Sequence, residues 1–327
     1  MPRFVLFLFL LLSSGGFAQD DSRPQYLRIG KVEDAARKAE PGFALMGGGK
    51  DQDAAFQWLC RKANGGDFLI LRASGGDAYN PYIQKLCPEL NSVATLVIHS
   101  REAANDPLTS EAIRHAEAIF IAGGDQSNYV KYWGGTAVTR DMNDAIVRGV
   151  PIGGTSAGLA MLGEYAYSAM NDTVTSAEAL ANPYHERVTI ERGFLKLPRL
   201  RSFITDSHFS KRDRMGRLAA FLGRIYNDGN HDIRGLGIDE RSVVLLGPDG
   251  NAQVVGEGNG AYMLRVIRSA PIVVKPGAPL SLQVSVIHVP VGGDINSIAW
   301  KARNGTAYVL TAEGGKLTSS QPGGGIY

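Results

Sequence analysis

The residues with the clearest chemical potential form the segment GTSAG at 154–158, which fits the Gly-x-Ser-x-Gly pattern of a nucleophile elbow. In that motif a serine occupies a sharp turn between a strand and a helix. The apolar run 150–152 predicts the strand, and the apolar residues 159–162 predict the start of a helix. Glycines permit the tight turn, and a following helix directs backbone N–H groups towards an anion. Ser156 is therefore a candidate nucleophile, and the alternative is a glycine-rich turn that happens to contain a serine.

A serine hydroxyl needs a neighbouring base to become nucleophilic, and histidine is the usual one. His208 lies between an apolar strand-like run and a helical pattern, in a loop at the end of an element. A purely structural histidine is the alternative at that position. A carboxylate should orient the imidazole and stabilise its charged form. By position, Asp206, Asp239 and Glu240 are candidates for this role, and the residues alone leave the choice open.

The elements that must position these residues alternate between short apolar runs and amphipathic stretches. The apolar runs are 43–46, 68–71, 93–98, 118–122 and 150–152. The helix-like stretches are 51–63, 79–87, 110–116, 127–133 and 139–148. Strands that alternate with helices predict βαβ units and a mostly parallel sheet. Open sheets of this kind place their sites at the carboxyl ends of the strands. We therefore expect a three-layer α/β/α fold with a flavodoxin-like parallel sheet.

The pattern changes after about residue 160. Residues 164–200 look irregular and polar, and a helix is predicted over 211–226 from apolar residues at helical spacing. Strand-like runs follow at 234–246, 252–256, 261–267, 281–289 and 305–311. We expect an α/β unit over 19–260 that carries the site, followed by a β-rich extension over 261–327.

The first eighteen residues have the layout of a secretory signal peptide. A single Arg3 precedes an apolar run and then small residues up to Ala18, which predicts cleavage between Ala18 and Gln19. The run is too short for a stable bilayer anchor, although an uncleaved anchor or a lipidated terminus is the alternative. We expect export to the periplasm or to the outside of the cell, with no membrane association after processing.

Composition excludes several classes of partner. The formal net charge is only +2 over 327 residues and no block of Lys and Arg stands out, which disfavours nucleic acid as a partner. Cys60 and Cys87 form either a disulfide, which an oxidising compartment permits, or two buried thiols. We find no His, Cys or Asp cluster with metal-ligand spacing, and the MGGGK segment at 46–50 lacks the spacing of a phosphate loop. No metal or cofactor is expected.

Taken together, seven segments resemble the cyanophycinase and peptidase E family of serine peptidases, which is related in fold to class I glutamine amidotransferases. They are GGG at 47–49, RASG at 72–75, GGDQ at 123–126, GGTSAG at 153–158, DSHF at 206–209, RxRxxR at 212–217 and GIDE at 237–240. They occur in the order typical of the family and cover about residues 40–245. As a set they are far more specific than the serine motif alone.

This resemblance implies a role for individual residues. It implies that Ser156 is the nucleophile, that His208 is the base and that Glu240 is the orienting acid. It also implies an oxyanion hole formed by the backbone N–H groups of Gly124 and Ala157. The residues that it assigns to substrate binding are Gln126, Asp206, Ser207, Arg212, Arg214 and Arg217. A homodimer is a further implication of the family.

One position departs from the family pattern, because cyanophycinases have a glutamine where this chain has Ser207. This difference puts specificity for cyanophycin in doubt. On a helix, Arg214 and Arg217 would lie about 60° apart, with Arg212 in the first turn. Cations there oppose the helix dipole and call for a partner, which a substrate carboxylate would supply. The alternative is a solvated helix face balanced by Asp213.

The expected function is the hydrolysis of peptide or isopeptide bonds on the carbonyl side of aspartyl residues through an acyl-enzyme, as in a β-aspartyl-arginine polymer. An α-aspartyl dipeptidase or an esterase would use the same residues. A glutamine amidotransferase is disfavoured, because the elbow holds serine where those enzymes hold cysteine. An exported binding protein without turnover is the alternative outside the enzymes.

Overall fold

The computed structural model describes residues 22–327. The predicted signal peptide over 1–18 and its cleavage site at Ala18–Gln19 lie outside the described residues, so export stays a prediction. Across 22–327, no helix combines the length and the apolar character that crossing a membrane requires.

Within 22–327 the chain forms eighteen strands and nine α-helices. The strands are β1 (Gln25–Gly30), β2 (Phe43–Met46), β3 (Asp67–Arg72), β4 (Ser92–Val97), β5 (Ala118–Ile121), β6 (Ile152–Thr155), β7 (Tyr165–Tyr167), β8 (Ile190–Arg192), β9 (Phe203–Asp206), β10 (Arg234–Ile238), β11 (Ser242–Leu246), β12 (Asn251–Gly256), β13 (Ala261–Val266), β14 (Leu282–Val289), β15 (Asp294–Asn296), β16 (Lys301–Arg303), β17 (Thr306–Glu313) and β18 (Lys316–Ser319). The helices are α1 (Asp53–Ala63), α2 (Tyr79–Leu86), α3 (Arg101–Ala104), α4 (Pro107–Arg114), α5 (Gln126–Trp133), α6 (Ala137–Arg148), α7 (Ala157–Ala160), α8 (Ser176–Ala181) and α9 (Met215–Asn227).

The first sheet, sheet A, has the strand order β1-β4-β3-β5-β6-β2-β11-β12-β15-β16. Its central strands, from β4 to β2, pair in parallel, as predicted. Side chains on a strand alternate between faces, so Phe43 and Leu45 point to one side and Ala44 and Met46 to the other. Helices α3 to α6 cover the first face, and α1 and α2 cover the second. The predicted three-layer α/β/α arrangement is confirmed.

The second sheet, sheet B, has the strand order β18-β17-β14-β13-β10-β9-β7-β8. One face packs against α8 and α9, with Leu218 and Leu222 in the apolar cluster between them. The opposite face shares a core with sheet A, where Leu236 and Met263 join Val244. The strands after residue 260 extend both sheets, because β15 and β16 belong to sheet A and the others to sheet B. The predicted β-rich extension is therefore present and continuous with the sheets that precede it.

Three local expectations need correction. The region 164–200 contains β7, α8 and β8, and its strands of three residues are too short to show a period. The predicted strand 234–246 is two strands in different sheets, separated by a turn in which Arg241 has φ 61°. The predicted helix over 211–226 begins at Met215, so Arg212 and Arg214 precede it. The helical angles expected for these arginines therefore do not apply.

Cys60 in α1 and Cys87 after α2 are joined by a disulfide, and both are buried. This outcome decides between the two alternatives that the sequence left open. We expect thiol titration of the unfolded, unreduced protein to find no free thiol, and two after reduction. Changing both cysteines to serine should lower the free energy of unfolding by about 2–4 kcal/mol, because the unfolded chain loses a cross-link. Two reactive thiols before reduction would contradict the pairing.

Candidate active site

Ser156 occupies a strained turn at the carboxyl end of β6. Its φ of 53° and ψ of −113° are unfavourable for a residue with a side chain, and such strain concentrates at functional sites. The glycines around it are required by close packing. A β-carbon on Gly154 would lie 2.7 Å from the carbonyl carbon of Gly158. A β-carbon on Gly158 would collide with the carbonyl oxygen of Ile121. The segment therefore has the backbone shape that the serine motif predicts.

The helix after Ser156 is shorter than expected. It consists of a single turn, Ala157–Ala160, although the apolar residues 159–162 suggested a longer segment. The chain turns away at Gly163, whose close approach to Phe203 leaves no space for a β-carbon. Because few peptide dipoles are aligned in one turn, the contribution of a helix dipole is small here. Stabilisation of an anion must come mainly from individual N–H groups.

Ser156, His208 and Glu240 form a hydrogen-bonded row. The Oγ of Ser156 lies 2.8 Å from Nε2 of His208, and Nδ1 of His208 lies 2.6 Å from Oε1 of Glu240. Ser156 follows β6 in sheet A, His208 follows β9 in sheet B, and Glu240 lies in the connection from β10 to β11. Among the three carboxylates left open by position, Glu240 contacts the imidazole. Asp239 instead accepts the N–H of Ser210 at 2.6 Å.

The electrostatic surroundings favour a neutral imidazole. Burial lowers the pKa of His208, and the nearby charges of Arg212 and Arg214 lower this pKa further, against the opposing effect of Glu240. The pKa of Glu240 is also lowered, chiefly by its hydrogen bond with His208. At neutral pH the row therefore contains an unprotonated Nε2 that can accept the proton of Ser156, together with an ionised carboxylate behind it.

The three glycines after β2 form the floor under this row. The N–H of His208 donates to the carbonyl oxygen of Gly47 at 2.7 Å. Gly48 has φ 93°, and a β-carbon there would lie 2.6 Å from Nε2 of His208. Gly49 has φ 77°, and its β-carbon would lie 3.0 Å from that of Glu240. The sequence alone indicated no catalytic role for this motif, although three consecutive glycines after a strand were a signal that side chains do not fit there.

Gly48→Ala should therefore displace the imidazole. We expect a loss of about 100-fold in turnover of an activated ester, because a shift of about 1 Å at a reacting group has an effect of that size. Gly229→Ala is the matched control, since Gly229 also has a positive φ of 105° but no atom within 4 Å of the added carbon. Both variants should be assayed for ester turnover and melting temperature. Near-normal activity of Gly48→Ala, or an equal loss in Gly229→Ala, would contradict this role.

The loop after β5 passes beside the nucleophile. A β-carbon at Gly123 would be in contact with the β-carbon of Ser156 at 3.4 Å. The hydroxyl of Tyr129 supports this loop from behind, because it donates to the carbonyl oxygen of Ala122 at 2.8 Å. Gly124 is the next residue in the loop, and Ala157 directly follows the serine. The two residues predicted to supply an oxyanion hole are therefore on two segments that border Ser156.

A cleft of about 680 Å³, which we call the arginine cleft, opens beside this loop. Gly124 and Gln126 line one side, and residues 169, 170 and 172–177 line another. Arg212 and Arg214 line it as well. Of the residues that the family resemblance assigns to substrate, the cleft collects Gln126 and all three arginines.

Asp206 and Arg217 interact mainly with each other. Nε and Nη2 of Arg217 donate to the two carboxylate oxygens of Asp206 at 2.7 and 2.6 Å. Their side chains are only 4% and 3% exposed. Nη1 of Arg217 also donates to Thr173 Oγ1 at 3.2 Å. The sequence predicted substrate contacts for both residues. In the structure their charges pair with each other, and Nη1 of Arg214 also lies 3.3 Å from Oδ1 of Asp206.

The guanidinium of Arg214 already has protein partners, whereas that of Arg212 has none among the described residues. Nη1 of Arg214 donates to the carbonyl oxygen of Ser207 at 2.8 Å and reaches Ser207 Oγ at 3.2 Å. Burial and the neighbouring cations lower the pKa of Arg214 to about 10. Arg212 is exposed. Within residues 22–327, its guanidinium forms no hydrogen bond and no ion pair. Arg212 is therefore the cation best placed to meet a ligand.

Another group of carboxylates lies outside this site. Oxygen atoms of Asp34, Asp67 and Glu117 lie within 4.8 Å of one another, which is a spacing compatible with a cation. The protein itself supplies partners, because Asp67 Oδ1 accepts from Asn91 at 2.9 Å and Glu117 accepts the N–H of Asp67 at 2.7 Å. The sequence did not reveal this group, because its members are far apart in the chain.

Comparison with solved structures shows the fold in a second protein. A peptidase from an acI-B1 Actinobacterium superposes with a TM-score of 0.53 at 17% sequence identity. The superposition covers 79% of this chain and 98% of that one. At this identity the likeness concerns the fold alone.

Comparison at the sequence level shows the family. The cyanophycinase of Geminocystis herdmanii (strain PCC 6308) is 29% identical over 165 residues, which are 50% of this chain and 55% of that protein. The cyanophycinase of Synechococcus elongatus is 26% identical over 224 residues, which are 65% of each chain. The matches therefore span about half to two thirds of these relatives. The sequence profile of Peptidase family S51 matches residues 45–246, which is more than half of the chain. The predicted resemblance is confirmed, and the chain belongs to peptidase family S51.

Proposed function

We propose that this protein is a serine peptidase that hydrolyses peptide or isopeptide bonds on the carbonyl side of aspartyl residues. The observation that carries the proposal is the row in which Ser156 Oγ lies 2.8 Å from His208 Nε2 and His208 Nδ1 lies 2.6 Å from Glu240. Nucleophile, base and orienting acid in this order are what acyl transfer by serine requires. Family membership and relatives named cyanophycinase support the same assignment.

In the proposed mechanism, Ser156 Oγ attacks the carbonyl carbon while its proton passes to His208 Nε2. The tetrahedral intermediate carries an oxyanion, which the N–H groups of Gly124 and Ala157 would stabilise by about 3 kcal/mol per donor. The C–N bond then breaks, and His208 returns the proton to the leaving amine. Water attacks the resulting ester with His208 again as base, which releases the acid and restores Ser156. Glu240 stabilises the imidazolium in both halves of the reaction.

The preference for an acidic group rests on the arginine cleft. Arg212 presents an unpaired guanidinium there, and Arg214 has donors beyond those that contact Ser207. A carboxylate that remains free beside the scissile bond, as in a β-aspartyl linkage, would pair with them. Gln126, on another side of the cleft, would contact the rest of the substrate. The ion pair of Asp206 and Arg217 then supports this cleft. Ser207 stands where cyanophycinases have glutamine, so the preferred aspartyl substrate can differ from theirs.

Arg212→Gln tests this preference. We expect kcat/KM for β-aspartyl-arginine to fall about ten- to a hundredfold, which is the usual effect of losing a charged hydrogen bond. Hydrolysis of an activated ester, which needs only the row and the oxyanion donors, should be unchanged at pH 8. Because Arg212 lowers the pKa of His208, its removal should raise that pKa. The acidic limb of the pH profile for ester hydrolysis should then move to higher pH.

The matched control is Lys211→Gln, which removes a neighbouring exposed cation that does not line the arginine cleft. Equal losses on ester and dipeptide at pH 8, together with a lower melting temperature, would contradict an acidic substrate. Lack of covalent labelling by a fluorophosphonate would instead favour the alternative of a binding protein without turnover. Hydrolysis of esters or α-aspartyl dipeptides alone would favour the other enzymes that share this machinery. Export and a homodimer stay predictions.

A further inference from the structure

We infer that Tyr327 is a positioning residue, whose phenol holds the turn 208–214 and thereby the cations of the arginine cleft. The inference rests on the proposed function, because it explains how Arg212 and Arg214 are kept in place for an acidic substrate. Tyr327 lies 119 positions after His208 in the sequence, and no motif pointed to it.

The hydroxyl of Tyr327 makes two hydrogen bonds at the end of this turn. It donates to Oδ1 of Asp213 and accepts the backbone N–H of Met215, both at 3.0 Å. Met215 is the first residue of α9, whose early N–H groups have no partner within the helix. One side chain therefore fixes the residues on both sides of Arg214.

The turn needs such an anchor because its backbone is strained. Asp213 has φ 48°, a left-handed conformation that is unfavourable for a residue with a side chain. The N–H of Arg212 donates to the carbonyl oxygen of His208 at 3.0 Å, and the N–H of Arg214 donates to that of Phe209 at 2.9 Å. These bonds lie within the turn itself. The two hydrogen bonds of Tyr327 instead connect the turn to a distant part of the chain.

The ring of Tyr327 supports the opposite side of the same turn. Its centroid lies 6.0 Å from that of Phe209 and 5.8 Å from that of Tyr262, with both pairs nearly edge-on. Phe209 directly follows His208, so the aromatic contact and the hydrogen bonds hold both ends of the turn. Burial raises the pKa of Tyr327, so the phenol stays protonated and keeps its donor and acceptor roles.

The segment that carries Tyr327 is itself attached to sheet B. Tyr308 in β17 donates to the carbonyl oxygen of Ile326 at 2.8 Å, and Gln321 Nε2 donates to that of Gly325 at 2.8 Å. The β-rich extension therefore reaches the arginine cleft through Tyr327. This connection gives the extension a role in substrate recognition.

The test compares Tyr327→Phe with Tyr262→Phe in the full-length protein. Both variants lose one hydroxyl from the same aromatic cluster, but that of Tyr262 makes no hydrogen bond within residues 22–327. For Tyr327→Phe we expect KM for β-aspartyl-arginine to rise about three- to tenfold with kcat nearly unchanged, as for loss of hydrogen bonds that place a binding group. Ester hydrolysis should be unchanged, and amide hydrogen exchange at Met215 should become faster. Tyr262→Phe should match the wild type.

An unchanged KM in Tyr327→Phe, or equal losses on ester and dipeptide, would overturn the inference. If the wild type does not hydrolyse the dipeptide at all, the proposed function fails. The inhibition constant of β-aspartyl-arginine against ester hydrolysis then decides the inference. An inhibition constant that rises in Tyr327→Phe supports the positioning role, and an inhibition constant equal to that of the wild type, or no inhibition at all, overturns it.

Discussion

Ser156→Ala and His208→Ala should each lower turnover by roughly three to six orders of magnitude, and the double variant should lose little more than either alone. The reason is that the two side chains share one proton transfer across the 2.8 Å hydrogen bond. Without Ser156 there is no nucleophile, and without His208 the hydroxyl keeps its proton. Glu240→Gln should have a smaller effect, because this acid orients the imidazole and does not contact the reacting atoms.

These variants should be measured with an activated ester and with aspartyl peptides. Labelling by a fluorophosphonate, read by intact mass, should disappear in Ser156→Ala. His115→Ala is a suitable control, because its side chain is 56% exposed and pairs with Asp34 away from the site. Losses that add in the double variant would refute a shared proton transfer. A greater loss in folded Asp206→Asn than in Glu240→Gln would mean that the third residue is wrongly assigned.

Arg217→Met and Asp206→Asn should each lower the free energy of unfolding by about 3–5 kcal/mol, because each change removes one side of a buried ion pair. After Arg217→Met, Asp206 keeps only the longer contact with Arg214 at 3.3 Å. The two side chains are 3% and 4% exposed and are joined by two hydrogen bonds. This expectation differs from the interpretation of the sequence, in which Arg217 was a substrate contact. The double variant Asp206→Leu with Arg217→Met should recover part of the loss, since it removes both charges of this pair. The recovery should be incomplete, because Arg214 then loses its contact with Asp206.

Urea denaturation of these three variants and of a control measures this effect. Asp228→Asn is the matched control, because Asp228 pairs with Arg224 on the same helix α9 but is about half exposed. A surface pair of this kind should contribute less than about 1 kcal/mol. Near wild-type stability of Arg217→Met, combined with a selective loss on aspartyl peptides, would return Arg217 to the substrate site.

Much of sheet A could be predicted from the sequence, because its central strands are short apolar runs and most of them end in glycine turns. The serine turn could also be predicted, since the motif is local in the chain and Gly154 is needed for a close contact with Gly158, although the contact of Gly158 with Ile121 is not local. The acid that orients His208 could not be chosen from its position in the sequence alone. Its identity depends on how β10 and β11 separate at Asp239, which then points Glu240 towards the imidazole.

The arginines show why the substrate side of the site could not be predicted from the sequence. A helical pattern cannot reveal that α9 begins at Met215, because the turn before it depends on the positive φ of His208 and Asp213. The charges of Arg217 and Asp206 lie 11 residues apart, and nothing in the sequence shows that they meet. The contact between Tyr327 and Asp213 spans 114 residues and is equally invisible.

Ser156 follows a strand of sheet A and His208 follows a strand of sheet B, so the site is complete only when both sheets have formed. The parallel strands of sheet A and the serine turn precede residue 161, but His208 lies 52 residues after Ser156 and Glu240 another 32 residues after His208. Contacts of such separation form late, since long loops must close first. We therefore expect a nascent or unfolded chain to be inert, with hydrolysis beginning only when the two sheets have docked. The proposed peptidase would thereby be inactive during its own synthesis.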